Sequence, residues 1–121
     1  MVFGKLSCST KKANDLSKAK VVCSKGGRLL YASRSIVPFV QKKIKFKYES
    51  AVWLYAFNKT SLDLYAKNYK KSLYDKIEGS EIISFIENDI DVYCINMSSK
   101  SWAVDELKDI KVVEKLIKKN K

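Results

Sequence analysis

The spacing of apolar residues switches from a period of two to a period near 3.6 close to Asn58, then returns briefly to a strand-like run before the last segment. Val2–Cys8 alternates weakly and predicts a first strand. From Thr10 to about Lys20 the chain is polar. Ala13, Leu16 and Ala19 recur at a spacing of three, which predicts a short helix or loop with shallow burial. Lys20–Ser33 is the clearest hairpin. Val21, Val22 and Cys23 precede Ser24-Lys25-Gly26-Gly27-Arg28, and Leu29, Leu30 and Tyr31 follow. Gly26-Gly27 supplies the positive φ that a tight two-residue turn requires, with Lys25 then opposite Arg28.

The lone proline, Pro38, interrupts or begins an element. Lys43–Tyr48 follows in strict alternation and predicts a strand. Ile44, Phe46 and Tyr48 fall on one side, and Lys43, Lys45 and Lys47 on the other. Ala51–Phe57 is a continuous apolar run that fits a buried strand or a buried helix segment equally well. Beyond it, Thr60 suits an N-cap, and Leu62, Tyr65, Tyr69, Leu73 and Ile77 mark one helix face that ends at Gly79. Ser80–Glu87 predicts a short helix, Asn88-Asp89 a turn, and Ile90–Met97 a central strand. Ser98–Ser101 predicts a loop. A last helix is expected from about Trp102 to Lys119, with Leu107, Ile110, Val113 and Ile117 as its buried stripe. The expected architecture is α+β: one domain over 1–121, a basic strand-rich N-terminal half, and helices at about 60–77 and 102–119 packed against it.

Composition narrows the class. At 46% apolar and 12% aromatic, with one Pro and four Gly, the chain can fill a core and is not low-complexity. Its three cysteines, Cys8, Cys23 and Cys94, form no C-x-x-C pair and there is no histidine, so no zinc site is expected and free thiols are. No cofactor and no metal are predicted. No stretch approaches the ~20 apolar residues of a membrane span. Met1–Thr10 lacks the apolar core of a signal peptide, so a cytoplasmic location and no membrane partner are expected.

Charge changes the picture most. Twelve basic residues stand against one acid, Asp15, from Met1 to Tyr48, whereas the remainder balances twelve lysines with twelve acids. Such segregation suggests a basic surface for a polyanion, with nucleic acid, DNA or RNA, as the expected partner. Lysine outnumbers arginine by 22 to 2, which favours backbone contacts over base readout. The alternate lysines of a strand lie about 6.5–7 Å apart, close to two phosphate steps. The candidate nucleic-acid-binding residues are Lys25 and Arg28 at the hairpin tip, Arg34, and the group Lys42, Lys43, Lys45 and Lys47. Lys11, Lys12, Lys18 and Lys20 would extend the patch. Tyr31, Tyr48, Trp53 and Tyr55 are nearest to these elements and fit a core better than a stacking platform. Ser98-Ser99-Lys100-Ser101 lacks the glycine spacing of a phosphate loop, and Ser101 suits a helix cap.

Catalysis has little support, because the absence of histidine removes the usual base near neutral pH. Gly26–Tyr31 resembles the second strand of a GIY-YIG nuclease hairpin. The matching first motif is missing and Ala32-Ser33 stands where glycine is expected, so no residues carry over. A histidine-free nuclease using Arg28, Arg34, Tyr31 and Glu49 is one alternative. The other is an interaction module, an inhibitor or immunity-type protein from a phage or mobile element, docking on an acidic partner. Eight acids against two lysines between Glu78 and Asp109 also permit head-to-tail pairing of copies.

Overall fold

The computed structural model describes residues 1–42, 44–68, 72–98, 104 and 107–119. Its elements are β1 (Val2–Cys8), α1 (Thr10–Ala13), β2 (Lys20–Cys23), β3 (Leu29–Ser33), β4 (Tyr48–Ala56), α2 (Lys59–Asn68), α3 (Leu73–Glu78), α4 (Ile82–Glu87), β5 (Tyr93–Asn96) and α5 (Leu107–Lys119). The strands form one mixed sheet in the order β3-β2-β4-β1-β5. β1 runs antiparallel to β4 and parallel to β5. The α+β organisation is therefore formed. The ambiguous apolar run belongs to β4, as a strand.

The hairpin sits where expected, but its turn is longer. Ser24 N donates to Arg28 O (2.8 Å) and Gly27 N to Ser24 O (3.0 Å), leaving Lys25, Gly26 and Gly27 as a three-residue loop. Gly27 alone of the two glycines adopts positive φ, 82°, the left-handed position that completes such loops. Lys25 is consequently not opposite Arg28. The tip folds onto β5. Leu29 N donates to Val92 O (2.7 Å), Cys94 N donates to Gly27 O (2.8 Å), and Arg28 bridges Tyr93. β3 and β5 are the outer strands, so these bonds join the two edges of the sheet at one end.

The expected strand over Lys43–Tyr48 is not formed. Residues 44–47 have no regular structure, and β4 begins at Tyr48. Ile44 and Phe46 are exposed where the alternation predicted an inward face. Period-two patterning describes a strand only when a neighbour supplies the ladder, and β1 runs out of residues at Cys8, opposite Tyr48. Lys43 lies outside the described residues.

The single helix expected over 60–77 is two helices, α2 and α3. Asn58, not Thr60, caps α2, its Oδ1 accepting from Ser61 N at 2.8 Å. Ser72 starts α3 by accepting from Asp75 N (3.1 Å), and Glu87 of α4 accepts from Ser72 Oγ, Leu73 N and Tyr74 N. A carboxylate held against these first-turn N–H groups begins a new helix instead of continuing the old one. Gly79 ends α3 in the left-handed region (φ 58°), as expected. Tyr69 lies outside the described residues.

The core is built from Phe3, Val21, Leu29, Ala32, Ile82, Ile83, Phe85, Val92 and Cys94. α4 supplies three of these residues from a six-residue helix because its apolar side chains surround it, as suits a fully buried segment. Phe85 stacks on Tyr65 of α2 at 5.1 Å and meets Phe57 at 5.8 Å. Burying each large apolar side chain contributes roughly 1.5–3 kcal/mol. Of the stripe expected on the last helix, Leu107, Ile110 and Ile117 are exposed and Val113 is half-buried. An amphipathic period defines a face without supplying the surface that would cover it. The predicted start of this helix at Trp102, and Ser99–Ser101, lie outside the described residues. Among the described residues no helix is long and apolar enough to cross a membrane.

Candidate functional site

A cavity of about 350 Å³ opens between β2 and the irregular segment that leads into β4. Val21, Val22 and Cys23 form one wall, Pro38 and Phe46 another, and Lys47 and Glu49 bring opposite charges to it. Behind the cavity, Lys5 of β1 donates to Glu49 Oε2 at 2.7 Å, with the lysine side chain only 12% exposed. Register explains the pair: β1 and β4 are neighbours, and Lys5 and Glu49 sit two positions out of step along the ladder, close enough for a long side chain to reach. Burial opposes the Lys5 ammonium, but the hydrogen bond with Glu49 and the surrounding negative groups outweigh it, and its pKa is raised. The lysine remains charged and fixes the carboxylate. The cavity thus combines an apolar wall, a carboxylate held by Lys5 and the ammonium of Lys47.

Cys23 and Cys94 lie beside Lys5, their sulfurs 3.0 Å apart and sharing a hydrogen bond. Both are free thiols. Among the described residues no group of three His, Cys, Asp or Glu side chains is arranged to hold a metal ion.

Among the described residues, those predicted to form a cationic patch lie at three places: the hairpin tip, the end of β3 and the irregular segment before β4. Lys25 and Arg28 occupy the hairpin tip, where Arg28 lies 3.5 Å from Asp91. Arg34 follows β3, at the opposite end of the hairpin, and its guanidinium is consumed internally. Nε donates to Glu78 O (2.9 Å), Nη1 to Ser17 O (2.8 Å) and Leu16 O (3.3 Å), and Nη2 to Gly79 O (3.0 Å). The Glu78 carboxylate accepts from Arg34 N, Ser33 Oγ and Tyr31 Oη. Lys20 is fully buried, with Nζ donating to the carbonyls of Asp15, Lys18 and Arg34. Lys42, Lys45 and Lys47 lie in the irregular segment, and of these only Lys47 lines the cavity. Trp53, expected in the core, is 44% exposed.

Lys5 went unmarked in the sequence. It is 44 residues from Glu49, and neither residue's local pattern points to the other. The available signal was that both lie in strand-forming stretches and that Glu49 is the first acid after a long basic run.

No family model matches the chain. Curated relatives do. The chain is 30% identical over 115 residues to the 3-deoxy-manno-octulosonate cytidylyltransferase of Koribacter versatilis, covering 94% of this chain and 44% of the relative. It is 32% identical over 114 residues to that of Chlamydia pneumoniae, covering 93% and 44%. For that of Chlorobium limicola the figures are 27% over 122 residues, 99% and 49%. The chain thus spans about half the length of the curated relatives it matches. Among solved structures, a CMP:2-keto-3-deoxy-manno-octonic acid synthetase complexed with CTP superposes with a TM-score of 0.90 at 22% identity, over 99% of this chain and 49% of that one, which establishes a shared fold. These likenesses overturn the nucleic-acid reading, together with the nuclease, acidic-protein-partner and phage readings. The relatives are named for cytidylyl transfer to a sugar acid, and that chemistry needs cationic groups for small anions without any polyanion.

Proposed function

We propose that this chain forms the sugar-acid-binding half of a cytidylyltransferase, with a 3-deoxy-octulosonate-type acid held in the cavity beside Glu49. The observation that carries the reading is the match of nearly the whole chain to several relatives of this one activity. The cavity chemistry supports it. Lys47 offers an ammonium to the carboxylate of the acid. Glu49, held by Lys5, accepts from sugar hydroxyls with the oxygen that Lys5 does not engage. Phe46 and Pro38 cover the carbon face of the ring. Cytidylyl transfer joins a sugar oxygen to the α-phosphorus of CTP and expels pyrophosphate, so the sugar must be held with its hydroxyl aimed at that phosphorus.

A cavity of about 350 Å³ suits one sugar acid and not a nucleoside triphosphate beside it. The chain alone is therefore expected to bind the acid without turning it over. Titration calorimetry with 3-deoxy-manno-octulosonate, against mannose as a neutral control, tests this. Saturable binding of the acid and none of mannose supports the reading. Equal binding of both, or binding of neither, counts against it.

A further inference from the structure

We propose that Cys23 and Cys94 form a reversible disulfide, with Cys23 as the thiol that meets the oxidant and Cys94 as the thiol that resolves it. Their sulfurs stand 3.0 Å apart, about 1 Å more than a disulfide bond length. The backbones on either side are already tied: Cys94 N bonds Gly27 O, and Leu29 N bonds Val92 O. These bonds hold the hairpin tip against β5, so the two thiols are kept side by side.

The two thiols differ in access and in charge. Cys23 lines the cavity, open to a small molecule, whereas Cys94 is 8% exposed and belongs to the core. The hydrogen bond with Cys94 lowers the Cys23 pKa first, and the Lys5 ammonium lowers it further, against the opposing effect of burial. The Cys94 pKa is shifted the opposite way, raised first by its hydrogen bond with Cys23 and then by burial. This is the division of labour of an attacking and a resolving cysteine. Cys8, at the far end of β1, provides the contrast. Burial raises its pKa, and no second cysteine pairs with it.

The oxidant is hydrogen peroxide. The Cys23 thiolate attacks a peroxide oxygen, the O–O bond breaks, and the hydroxide that leaves takes a proton to become water. Cys23 is now a sulfenic acid. The Cys94 sulfur attacks the Cys23 sulfur, the S–O bond breaks, and the departing hydroxide takes the Cys94 proton as a second water. Two thiols are oxidised to one disulfide and one peroxide is reduced to two waters. A dithiol reverses the step by exchange. Because Cys23 is reached through the cavity, the step is that of the unoccupied cavity.

The test uses the intact protein treated with hydrogen peroxide, then thiol counting and peptide mapping without reductant. The expected result is loss of two of three thiols, a Cys23–Cys94 cross-link within one chain, and full recovery with dithiothreitol. Cys23 should react about tenfold faster than Cys8. In Cys94→Ser, dimedone should trap Cys23 as its sulfenic acid. A cross-link through Cys8, a cross-link between chains, or three thiols surviving while a peroxide-sensitive control protein oxidises would overturn the proposal. Should Cys94→Ser fail to fold, the wild-type map alone decides.

Discussion

The ammonium of Lys20 ends on the carbonyl of Arg34, and the guanidinium of Arg34 ends on the carbonyls of Ser17 and Leu16, so the two cations lock one loop to one strand end from both sides. Lys20 makes three such bonds while fully buried. Replacing it with Ala leaves three carbonyls without their donor. Lys20→Ala is expected to lower unfolding free energy by about 2–4 kcal/mol, measured by urea denaturation. A loss below 0.5 kcal/mol, the ordinary range for a surface substitution, would mean that water replaces the ammonium at about no cost.

Glu78 predicts an acid-sensitive step. Burial works to raise its pKa, but the hydrogen bonds from Arg34 N, Ser33 and Tyr31 and the charge of Arg34 prevail, and it lies below its ordinary value of 4.5. A depressed carboxylate stabilises the fold fully above 4.5 and loses that contribution as pH falls through the lowered value. Glu78→Gln should therefore destabilise at pH 7 and show a flatter decline in melting temperature below pH 4.5 than the parent chain. Parallel declines would remove Glu78 as the cause.

Gly27 combines φ of 82° with close approach to β5. A Cβ there would meet the Cys94 carbonyl at 3.3 Å. Gly27→Ala should cost about 1–2 kcal/mol through the left-handed conformation alone. Calorimetric melting reads the cost, and amide exchange should show the extra opening at Cys94.

At the cavity, Lys5 and Glu49 are expected to couple. A double-mutant cycle with Lys5→Met and Glu49→Gln should return about 1–2 kcal/mol, above the exposed-pair range because the lysine is largely buried. Lys47→Ala should weaken binding of the sugar acid about tenfold, the loss of one charge-assisted hydrogen bond. It should leave stability within ±0.5 kcal/mol, as surface substitutions usually do. Calorimetry of both variants separates the two effects.

Local chemistry was legible wherever an element is decided locally. The first strand, the hairpin, the helix stop at Gly79 and the short apolar helix before Asn88 all follow from period, turn residues and caps. Elements decided at a distance were not. Lys45 and Lys47 alternate as a strand would, but β1 offers no partner beyond Cys8. The break after α2 depends on Glu87, fifteen residues beyond Ser72. The site was the least legible part. Its fixed charge pair spans 44 residues, and two cations of the basic half, Lys20 and Arg34, spend their donors on backbone carbonyls of this chain, which no local pattern marks. A tally of charges along a chain does not map the potential on its surface.

The bonds that carry the hairpin tip onto β5 have one more effect. A sheet's outer strands normally offer unpaired amides and carbonyls to any passing strand, which is how native sheets come to template aggregation. Here the Cys94 amide and the Val92 carbonyl of one margin are already matched to the Gly27 carbonyl and the Leu29 amide of the other. At that end the sheet closes on itself, and a foreign strand finds no free ladder on which to dock.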